Sequence, residues 1–437
     1  MNRKILTTLV ALLFSATILF ANALGTLANS MNAGEWRELA TTGLSQTFLE
    51  TSGNNAANHS ILQYAAKGMW DPATEQFFFL GSPHDNPYKF IIYSASNNTW
   101  RTGPLPNSCM NTGMYSGGCA LHSYYYAAAV DNGKFYTYTG AAGGKIYSYD
   151  IAGNSWAAVS GNPIPLYGPT YGGCAYSPER QGFIYACGNV GVWFCSKATG
   201  TWSEVSLPSG MSWGYYQSFV HYNPVHHEIL FGGGESGKQE VYKVSNSGTL
   251  AVTHLSSSPI PIGVGCGNVA IDPVTGKYIV CTGSQMSEFN SQTNQWATLS
   301  NLPPSEIRPE FIYEIANASV SNYGVIMYLT YSPAKVYLYK HSAGNAVEQL
   351  PMVQTGAAIH VDPNPVMTGG VVSIRASGAL SKAEVYDLAG KLVFQSGSDA
   401  KTQGGIGWST KNAPAGVYLV KAMVSGQTAV KRIVLTK

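Results

Sequence analysis

The sequence predicts an all-β protein assembled from a repeated unit of short strands. Two observations carry this prediction: a phrase recurs about every fifty residues, and the composition is rich in turn-forming and aromatic residues. Of 437 residues, 48 are Gly and 28 are Tyr, while charged residues make up only 11%. This composition is typical of turn-rich β structure and not of helical or disordered chains.

Each copy of the phrase begins with an apolar strand that enters a tight polar turn, and its second strand ends in Gly or a small residue. The copies are Trp70–Ser82, Ala129–Gly140, Tyr176–Gly188, Tyr222–Gly234 and Ile271–Ser284. An aromatic third strand and a Trp follow in Phe90–Trp100, Lys145–Trp156, Val192–Trp202 and Met286–Trp296. Repeats of this length, made of several short strands, predict a β-propeller.

The spacing of the repeats predicts six blades. Seven is the alternative if the long interval from Trp36 to Trp100 contains another blade. The last repeat, Phe311–His341, has only three strands, and the isolated strand Glu35–Leu39 is predicted to supply the fourth by pairing with Lys335–Tyr339. This pairing would close the ring and remove exposed strand edges.

The repeats resemble kelch-type blades, the kind also found in the galactose oxidase central domain, over roughly Trp36–His341. The resemblance rests on the small residue that ends the second strand, the Tyr of the third strand and the terminal Trp. One repeat also carries the run Gly232-Gly233-Gly234, which is similar to the kelch diglycine. The resemblance implies a rigid ring in residues 24–341, with binding sites in the loops at one end of the ring.

The N-terminus predicts an exported chain. Arg3 and Lys4 precede the apolar run Ile5–Phe20, and Ala21-Asn22-Ala23 fits the small-x-small cleavage pattern, so residues 1–23 are predicted to be a signal peptide. An uncleaved membrane anchor is the alternative, since the run is near spanning length. No transmembrane segment is predicted in the mature chain.

From about Val353 the sequence consists of alternating strands separated by Gly, Pro and Asn turns, which predicts a small immunoglobulin-like β-sandwich. Residues 360–437 resemble the C-terminal sorting domain of the type IX (Por) secretion system, and residues 342–359 would be the linker. The matching pieces are Pro363-Asn364-Pro365, Val385–Val393, Pro414–Val420 and Lys431–Lys437. An ordinary immunoglobulin-like accessory module is the alternative.

The sorting-domain resemblance implies a Gram-negative bacterium and passage across both of its membranes. The type IX secretion machinery would be a partner of the chain, and the protein would be secreted or held at the outer cell surface. Basic and acidic residues number 25 and 23, and no dense basic patch interrupts this balance, so nucleic acid is excluded as a partner.

Seven cysteines occur, and export permits disulfides. Cys174 with Cys187, and Cys266 with Cys281, flank hairpin turns at similar offsets, so each pair could bridge two strands. The alternative is that all are small core residues. No Cys/His spacing suits zinc, so no metal site is predicted, and the sequence identifies no cofactor.

Candidate ligand-binding residues lie in loops that enter innermost strands or join second to third strands, since these loops share one face of a propeller. They are His59, His84, Asp85, Tyr171, Trp213, Tyr215, Glu235 and Glu310, with Tyr216 beside them. Aromatic rings with a few planar polar groups suit carbohydrate, because sugar C–H faces stack on rings. A glycan is therefore the predicted ligand, and packing between blades is the alternative role of each ring.

Catalysis is an alternative reading of the same face. A polysaccharide lyase needs a base and a cation to neutralise a uronate, roles that His122, Tyr124 and Arg308 could fill. A copper-radical oxidase would need a Tyr-His pair, whereas the chain has only the reversed His221-Tyr222. A non-catalytic adhesive protein is the third class. The pair His226-His227 is predicted to be an exposed hairpin tip on the opposite face.

Overall fold

The computed structural model describes residues 22–51, 60–83, 88–106, 127–139, 145–159, 172–188, 190–263, 267–307, 314–343, 359–362, 366–376, 380–387, 391–396, 405–424 and 427–436. Within these residues the protein is almost entirely β, with one α-helix, α1 (Ala23–Ser30), and short 3-10 turns at Thr47–Leu49, Glu235–Gly237 and Ser321–Tyr323. Most of the predicted signal peptide and of the predicted linker lies outside the described residues.

The strands up to residue 340 are, in chain order, β1 (Glu35–Glu38), β2 (Ala65–Lys67), β3 (Met69–Asp71), β4 (Gln76–Gly81), β5 (Lys89–Ser94), β6 (Thr99–Thr102), β7 (Ala127–Asp131), β8 (Lys134–Thr139), β9 (Lys145–Asp150), β10 (Ser155–Ala158), β11 (Gly173–Ser177), β12 (Gly182–Cys187), β13 (Gly191–Ser196), β14 (Trp202–Glu204), β15 (Phe219–Asn223), β16 (Glu228–Gly232), β17 (Val241–Val244), β18 (Val252–His254), β19 (Asn268–Ile271), β20 (Tyr278–Cys281), β21 (Met286–Asn290), β22 (Gln295–Leu299), β23 (Glu314–Val320), β24 (Val325–Thr330) and β25 (Lys335–Lys340).

These strands form six successive sheets, numbered here from the first complete one. Sheets 1 to 5 are the antiparallel groups β3–β6, β7–β10, β11–β14, β15–β18 and β19–β22, and sheet 6 joins β23–β25 to β1. The short strand β2 pairs in parallel with β23 on the inner side of sheet 6. First strands of neighbouring sheets lie side by side, as β3 does with β7 and β23 does with β3. This arrangement is consistent with propeller-like blades.

The polar turn between first and second strands has a local cause. Asp71, Asn223 and Asp272 each end or follow a first strand, and each is followed by Pro. Their side-chain oxygens accept hydrogen bonds from backbone N–H groups two and three residues ahead. An Asx side chain mimics a backbone turn and Pro fixes its φ, so the recurring sequence phrase specifies the recurring hairpin.

The turn between third and fourth strands uses Asn in the left-handed conformation. Asn98, Asn154 and Asn294 have φ of 54°, 49° and 56°. Asn tolerates this region better than most residues. The Tyr of the third strand fixes the turn, because Tyr93 Oη donates to Asn98 Oδ1 at 2.8 Å and Tyr149 Oη donates to Asn154 Oδ1 at 2.6 Å.

The repeated Trp of the fourth strand fastens four of the six sheets to the one before it; in the described structure the Trp202 indole N–H of sheet 3 has no hydrogen-bond partner, and β18 of sheet 4 has no Trp. The indole N–H of Trp100 donates to Thr41 Oγ1 at 3.1 Å, and that of Trp156 donates to the Pro104 carbonyl at 2.8 Å. In each case the acceptor lies just after the last strand of the preceding sheet. Trp36 and Trp296 make the same bond to the carbonyls of Asn301 and Ser256.

The predicted pairing of Glu35–Leu39 with Lys335–Tyr339 is confirmed. Strand β1 pairs antiparallel with β25, with Glu35 opposite Lys340 and Glu38 opposite Tyr337. The Trp36 ring stacks on Tyr339, with centroids 4.5 Å apart. The sixth sheet is therefore built from both ends of this part of the chain.

Helix α1 reinforces the same seam. Asn22 caps it by accepting from Gly25 N at 2.6 Å, and Leu24 and Ala28 are fully buried. The Asn22 amide also donates to Glu75 Oε2 of sheet 1 at 2.9 Å and to Tyr323 Oη of sheet 6 at 2.6 Å. The residues that precede β1 thus join the first and sixth sheets.

Four cysteines in the described part of the chain, Cys174, Cys187, Cys195 and Cys281, are free thiols and buried. The disulfide expected between Cys174 and Cys187 is wrong, because the register places Cys174 opposite Tyr185 and Cys187 opposite Gly191. The alternative prediction, that these cysteines are small core residues, is confirmed for the four that are described. Cys109, Cys119 and Cys266 lie outside the described residues.

The C-terminal part forms two sheets around its own apolar core. Its strands are β26 (Ile359–Asp362), β27 (Val366–Met367), β28 (Val371–Ala376), β29 (Leu380–Asp387), β30 (Leu392–Gln395), β31 (Ile406–Ser409), β32 (Gly416–Val424) and β33 (Gln427–Thr436). One sheet has the order β26-β28-β31 and the other β27-β33-β32-β29-β30. Trp408 and Tyr418 pack edge to face between them, with centroids 5.4 Å apart.

Deletion of residues 24–40 should open the ring. It removes β1 and most of α1, so β25 becomes an unpaired edge strand, and such edges template aggregation. We expect high-molecular-weight species in size-exclusion chromatography. The variant Trp36→Ala should stay monomeric but lose about 2–3 kcal/mol of unfolding free energy, since its half-buried ring is removed. Arg37→Ala, an exposed neighbour, is the control. A soluble deletion variant with an unchanged melting temperature would contradict the closure.

Candidate ligand-binding face

The structure describes three of the predicted site residues: Trp213, Tyr215 and Glu235. The others lie outside the described residues, and they are His59, His84, Asp85, His122, Tyr124, Tyr171, Arg308 and Glu310. The lyase assignment, which depends on His122, Tyr124 and Arg308, therefore stays a prediction.

Trp213 is a core residue, which corrects the expectation of an exposed stacking ring at this position. Its side chain is only 6% exposed. It packs edge to face against Phe231 and Tyr242, with centroids 5.3 Å and 5.6 Å away. The adjacent Gly214 explains this burial, because a Cβ there would lie 2.6 Å from Gly234 Cα and the loop could not approach so closely.

The Gly run of the fourth repeat allows neighbouring loops to approach closely and to form backbone hydrogen bonds with one another. Gly232, Gly233 and Gly234 all have positive φ, at 143°, 59° and 113°. Gly214 N donates to the Gly233 carbonyl at 2.7 Å, and Gly234 N donates to the Ile262 carbonyl at 2.8 Å. These backbone bonds tie the loop entering sheet 4 to the loop that leaves it for sheet 5.

This junction brings two predicted residues, Tyr215 and Glu235, into one group with Tyr216. The backbone N–H of Glu235 donates to the Tyr216 carbonyl at 3.0 Å. The two rings meet edge to face with centroids 4.5 Å apart, and all three residues are half-buried. Burial raises the pKa of Tyr215, and the nearby Cys187, Tyr216 and Glu235 raise it further. The result is a pair of accessible rings beside a carboxylate.

A second polar group on the same end of the strands was missed by the sequence reasoning. Lys89 Nζ donates to the carbonyls of Phe48 and Glu50 at 2.5 Å and 3.0 Å and lies 5.0 Å from the Phe48 ring centroid. Tyr331 Oη donates to Glu50 Oε1 at 2.7 Å. Their positions in the repeat could have identified them, because Lys89 begins a third strand and Tyr331 follows a second strand, and both therefore lie at the end predicted to bind a ligand.

Glu314, the first residue of β23, is half-buried at this end. Burial raises the pKa of its carboxyl to about 7, although a hydrogen bond from Ser60 acts in the opposite direction. A carboxyl group that titrates near neutrality can both accept and donate a proton, which is the property that marks candidate acid–base groups. It was not among the residues singled out from the sequence.

The centre of the ring is filled by a polar network rather than by apolar side chains alone. The ammonium of Lys67, on β2, donates to the carbonyls of Cys174 at 2.9 Å and Val220 at 2.7 Å. Asn317 donates to the Ala66 and Val269 carbonyls at 2.9 Å each, and also to Asn268. These bonds connect inner strands of sheets 3, 4, 5 and 6.

Burial also shifts the titration of two groups at this centre. It lowers the pKa of Lys67 to about 7, against a smaller opposing effect of Cys174. It lowers the pKa of His221 well below its usual range, and the nearby Lys67 charge adds to this effect. His221 is therefore a neutral imidazole at physiological pH. A Lys in a three-residue strand gives no sequence signal of such burial.

Neither a metal site nor a membrane span emerges from the described residues. No three His, Cys, Asp or Glu side chains there are grouped so as to hold a metal ion. In the same residues, no helix combines the length and apolarity needed to cross a membrane.

Residues 360–436 match the protein family described as the secretion system C-terminal sorting domain. This confirms the resemblance found at the C-terminus. Such a domain directs proteins of Bacteroidetes through the type IX secretion system to the cell surface, and the predicted location is confirmed with it. The type IX machinery is a partner of this chain.

Comparison with curated protein sequences gives no match. Among solved structures, the chain is similar to PorZ, an essential surface component of the type IX secretion system of Porphyromonas gingivalis, at 13% identity and a TM-score of 0.36. The match covers 86% of this chain and 60% of that one. An auxiliary nutrient binding protein from Bacteroides ovatus is 11% identical over 63% of this chain and 69% of that one, with a TM-score of 0.42.

The buried amine of Lys67 predicts a pH-dependent stability. Its pKa in the folded protein, about 7, lies below the unfolded value of 10.5. Between these values the unfolded chain binds more protons, so the free energy of unfolding should rise with pH, by up to about 1.4 kcal/mol per pH unit. Urea unfolding at pH 7, 8.5 and 10 measures the slope.

The variant Lys67→Met should flatten that slope, because the titrating group is gone. Lys134→Met, which removes a less buried amine from β8, should leave the slope of the wild type. Equal slopes for wild type and Lys67→Met would show that the amine does not titrate in this range.

Proposed function

We propose that the protein is a six-bladed propeller, carried to the cell surface by an immunoglobulin-like sorting domain, that binds an extracellular carbohydrate. The observation that carries the proposal is the group of Tyr215, Tyr216 and Glu235 at one end of the strands. The blades are the six sheets, and the ligand-binding face is the end at which their second strands finish.

The chemistry of this group supports a sugar ligand. A half-buried Tyr presents an apolar face and a polar hydroxyl, so one ring can contact C–H groups and hydrogen-bond a hydroxyl. The two rings stand at 73° to each other, which forms a corner instead of a flat platform. The Glu235 carboxylate beside them can accept hydrogen bonds from sugar hydroxyls. Backbone bonds at the Gly junction hold all three in place, so little ordering is needed on binding.

Truncation after about residue 355 should leave a folded ring in the periplasm. The removed part carries the sorting signal, whereas the six sheets and their core lie before residue 344. Immunoblots of periplasm and medium would locate the truncated chain, with the full-length protein as the comparison. Normal amounts of truncated protein in the medium would show that the C-terminal part is not required for delivery.

Replacing Tyr215 or Tyr216 by Ala should weaken carbohydrate binding by about 1–2 kcal/mol, since each substitution removes one stacking ring. A glycan array with the full-length wild type identifies the ligand, and titration calorimetry then compares the variants. Tyr147→Ala, which removes a ring from the third strand of sheet 2, is the matched control. A wild type that binds no glycan would leave the adhesive interpretation in its place.

A further inference from the structure

A second candidate site lies at the opposite end of the strands, between sheets 3 and 4. An open cleft there has a volume of about 680 Å³. Its lining residues are Glu179, Arg180, Phe194, His226, His227 and Asn246–Gly248. They belong to the turns between first and second strands of both sheets, to β13, and to the last turn of sheet 4. This is the end predicted to carry the His226-His227 hairpin tip.

One wall of the cleft is the Phe194 ring. It is half-buried and occupies the space above Gly182 on the neighbouring strand, where a Cβ would lie only 2.3 Å from the ring. Gly182 therefore fixes the ring against the sheet while the ring still lines the cleft. An immobilised aromatic ring of this kind offers a stacking surface at low entropic cost.

The opposite wall carries a carboxylate that stays ionised. Glu179 Oε1 accepts from Tyr222 Oη at 2.8 Å and contacts His227 Nδ1 at 3.0 Å, and Oε2 accepts from Ser177 Oγ at 3.1 Å. Burial alone would raise the pKa of Glu179, but these hydrogen bonds lower it to about 2. Its side chain remains 28% exposed, so Oε2 can accept a further bond from a ligand.

The guanidinium of Arg180 is already engaged in structure. Nε donates to the Ser245 carbonyl at 2.7 Å, Nη1 to the Gly248 carbonyl at 3.2 Å, and Nη2 to the Ser247 carbonyl at 3.0 Å and Ser245 Oγ at 3.1 Å. These bonds fix the last turn of sheet 4 against sheet 3. They leave no pair of parallel N–H groups for a carboxylate or phosphate.

The two histidines are held differently. His226 Nδ1 lies 3.1 Å from Ser291 Oγ and its side chain is 14% exposed, whereas the His227 side chain is 64% exposed. Asn246, on the turn fixed by Arg180, is half-buried and makes no hydrogen bond through its side chain among the described residues. The cleft thus offers a free amide between a ring and a carboxylate.

We propose that this cleft binds a neutral, hydroxyl-rich ligand, namely a neutral oligosaccharide. The Phe194 ring stacks on a sugar C–H face, Glu179 accepts from hydroxyls, and the Asn246 amide donates and accepts. Acidic sugars are disfavoured, because the exposed carboxylate repels them and Arg180 has no bidentate pair to offer. The site is independent of the Tyr215 face, from which it is separated by the length of the strands.

Titration calorimetry of the full-length protein tests this with malto-, cello-, xylo- and manno-oligosaccharides, and with oligogalacturonate as the acidic probe. We expect at least one neutral probe to bind and oligogalacturonate to bind more weakly. The affinity for the neutral probe should fall by about 5- to 30-fold in each of three variants, Phe194→Leu, Glu179→Gln and Asn246→Ala. This is the effect expected for loss of one ring or one hydrogen-bond contact. Glu204→Gln, an exposed carboxylate on β14, is the matched control.

The outcomes separate this site from the Tyr215 face. If the affinity falls in Tyr215→Ala or Tyr216→Ala but not in these three variants, the proposal of a binding site in the cleft is overturned and the proposed function is kept. Absence of binding to every neutral probe would overturn the cleft as well. Phe194→Leu keeps an apolar side chain over Gly182, and melting temperatures would show that all variants fold.

A different observation carries a second inference, on the site of leader removal. The sequence pattern places cleavage after Ala23, yet Asn22 and Ala23 belong to the folded part. Asn22 caps α1 and bonds to Glu75 and Tyr323 across the seam of the ring. Cleavage after Ala23 would remove all three hydrogen bonds and the first residue of the helix.

We infer that the leader is cut between Ala21 and Asn22. Water hydrolyses that peptide bond, so that Ala21 leaves with the new carboxylate and Asn22 carries the new α-amino group. Ala21 supplies the small residue at the last position of the leader, and Leu19 stands where the small-x-small pattern has its other small residue. The mature chain then keeps the side chain that joins sheets 1 and 6.

The intact mass of the protein collected from the producing cells gives the mature N-terminus directly. A chain that begins with Asn22 supports the inference, and one that begins with Leu24, or that keeps its leader, overturns it. As a second measurement, Asn22→Ala should lower the melting temperature of the mature protein, whereas Asn32→Ala, on the exposed side of the same segment, should change it little.

Discussion

Antiparallel pairing between β1 and β25 is the contact on which the ring of six sheets depends. Without it, the sixth sheet keeps β25, β24, β23 and the short β2, and β25 becomes an open edge. In four of the six sheets, an indole N–H of the fourth strand is bonded to the exit loop of the preceding sheet. A single such bond contributes only about 1 kcal/mol. The junctions between sheets are therefore stabilised by several weak contacts together, whereas the β1–β25 pairing is a whole ladder of backbone bonds at one junction.

The polar network at the centre fixes the placement of the sheets relative to one another. Lys67, Asn268 and Asn317 join inner strands through bonds that only one relative placement of the sheets satisfies. The cost is a desolvated ammonium, which is why its pKa falls. Because these groups are occupied in hydrogen bonds between the sheets, they hold the scaffold together.

Local signals made the scaffold predictable. Asx-Pro turns and left-handed Asn residues recur in the sequence because each acts within a few residues of itself, and the terminal Trp recurs because it occupies the same place in successive sheets. The fourth strand of the last sheet was predicted by counting the strands of each repeat. The burial of Trp213 could not be predicted, since it depends on the approach of Gly214 to Gly234 from another part of the chain. The same holds for Lys67, for the register that separates Cys174 from Cys187, and for Glu314. The proximity of Tyr215 and Glu235 could be predicted, because both lie in loops at the same end of the strands; their role as site residues stays a prediction.

Two carboxyl groups show that the ends of the ring are suited to different chemistry. Hydrogen bonds keep Glu179 ionised, with a pKa of about 2, whereas burial raises the pKa of Glu314 to about 7. A group that stays charged can bind hydroxyls but is a poor base near neutral pH, and a group that titrates there can transfer protons. Glu314 is therefore a candidate acid–base group at the end that carries Tyr215, whereas Glu179 at the opposite end is suited to accepting hydrogen bonds.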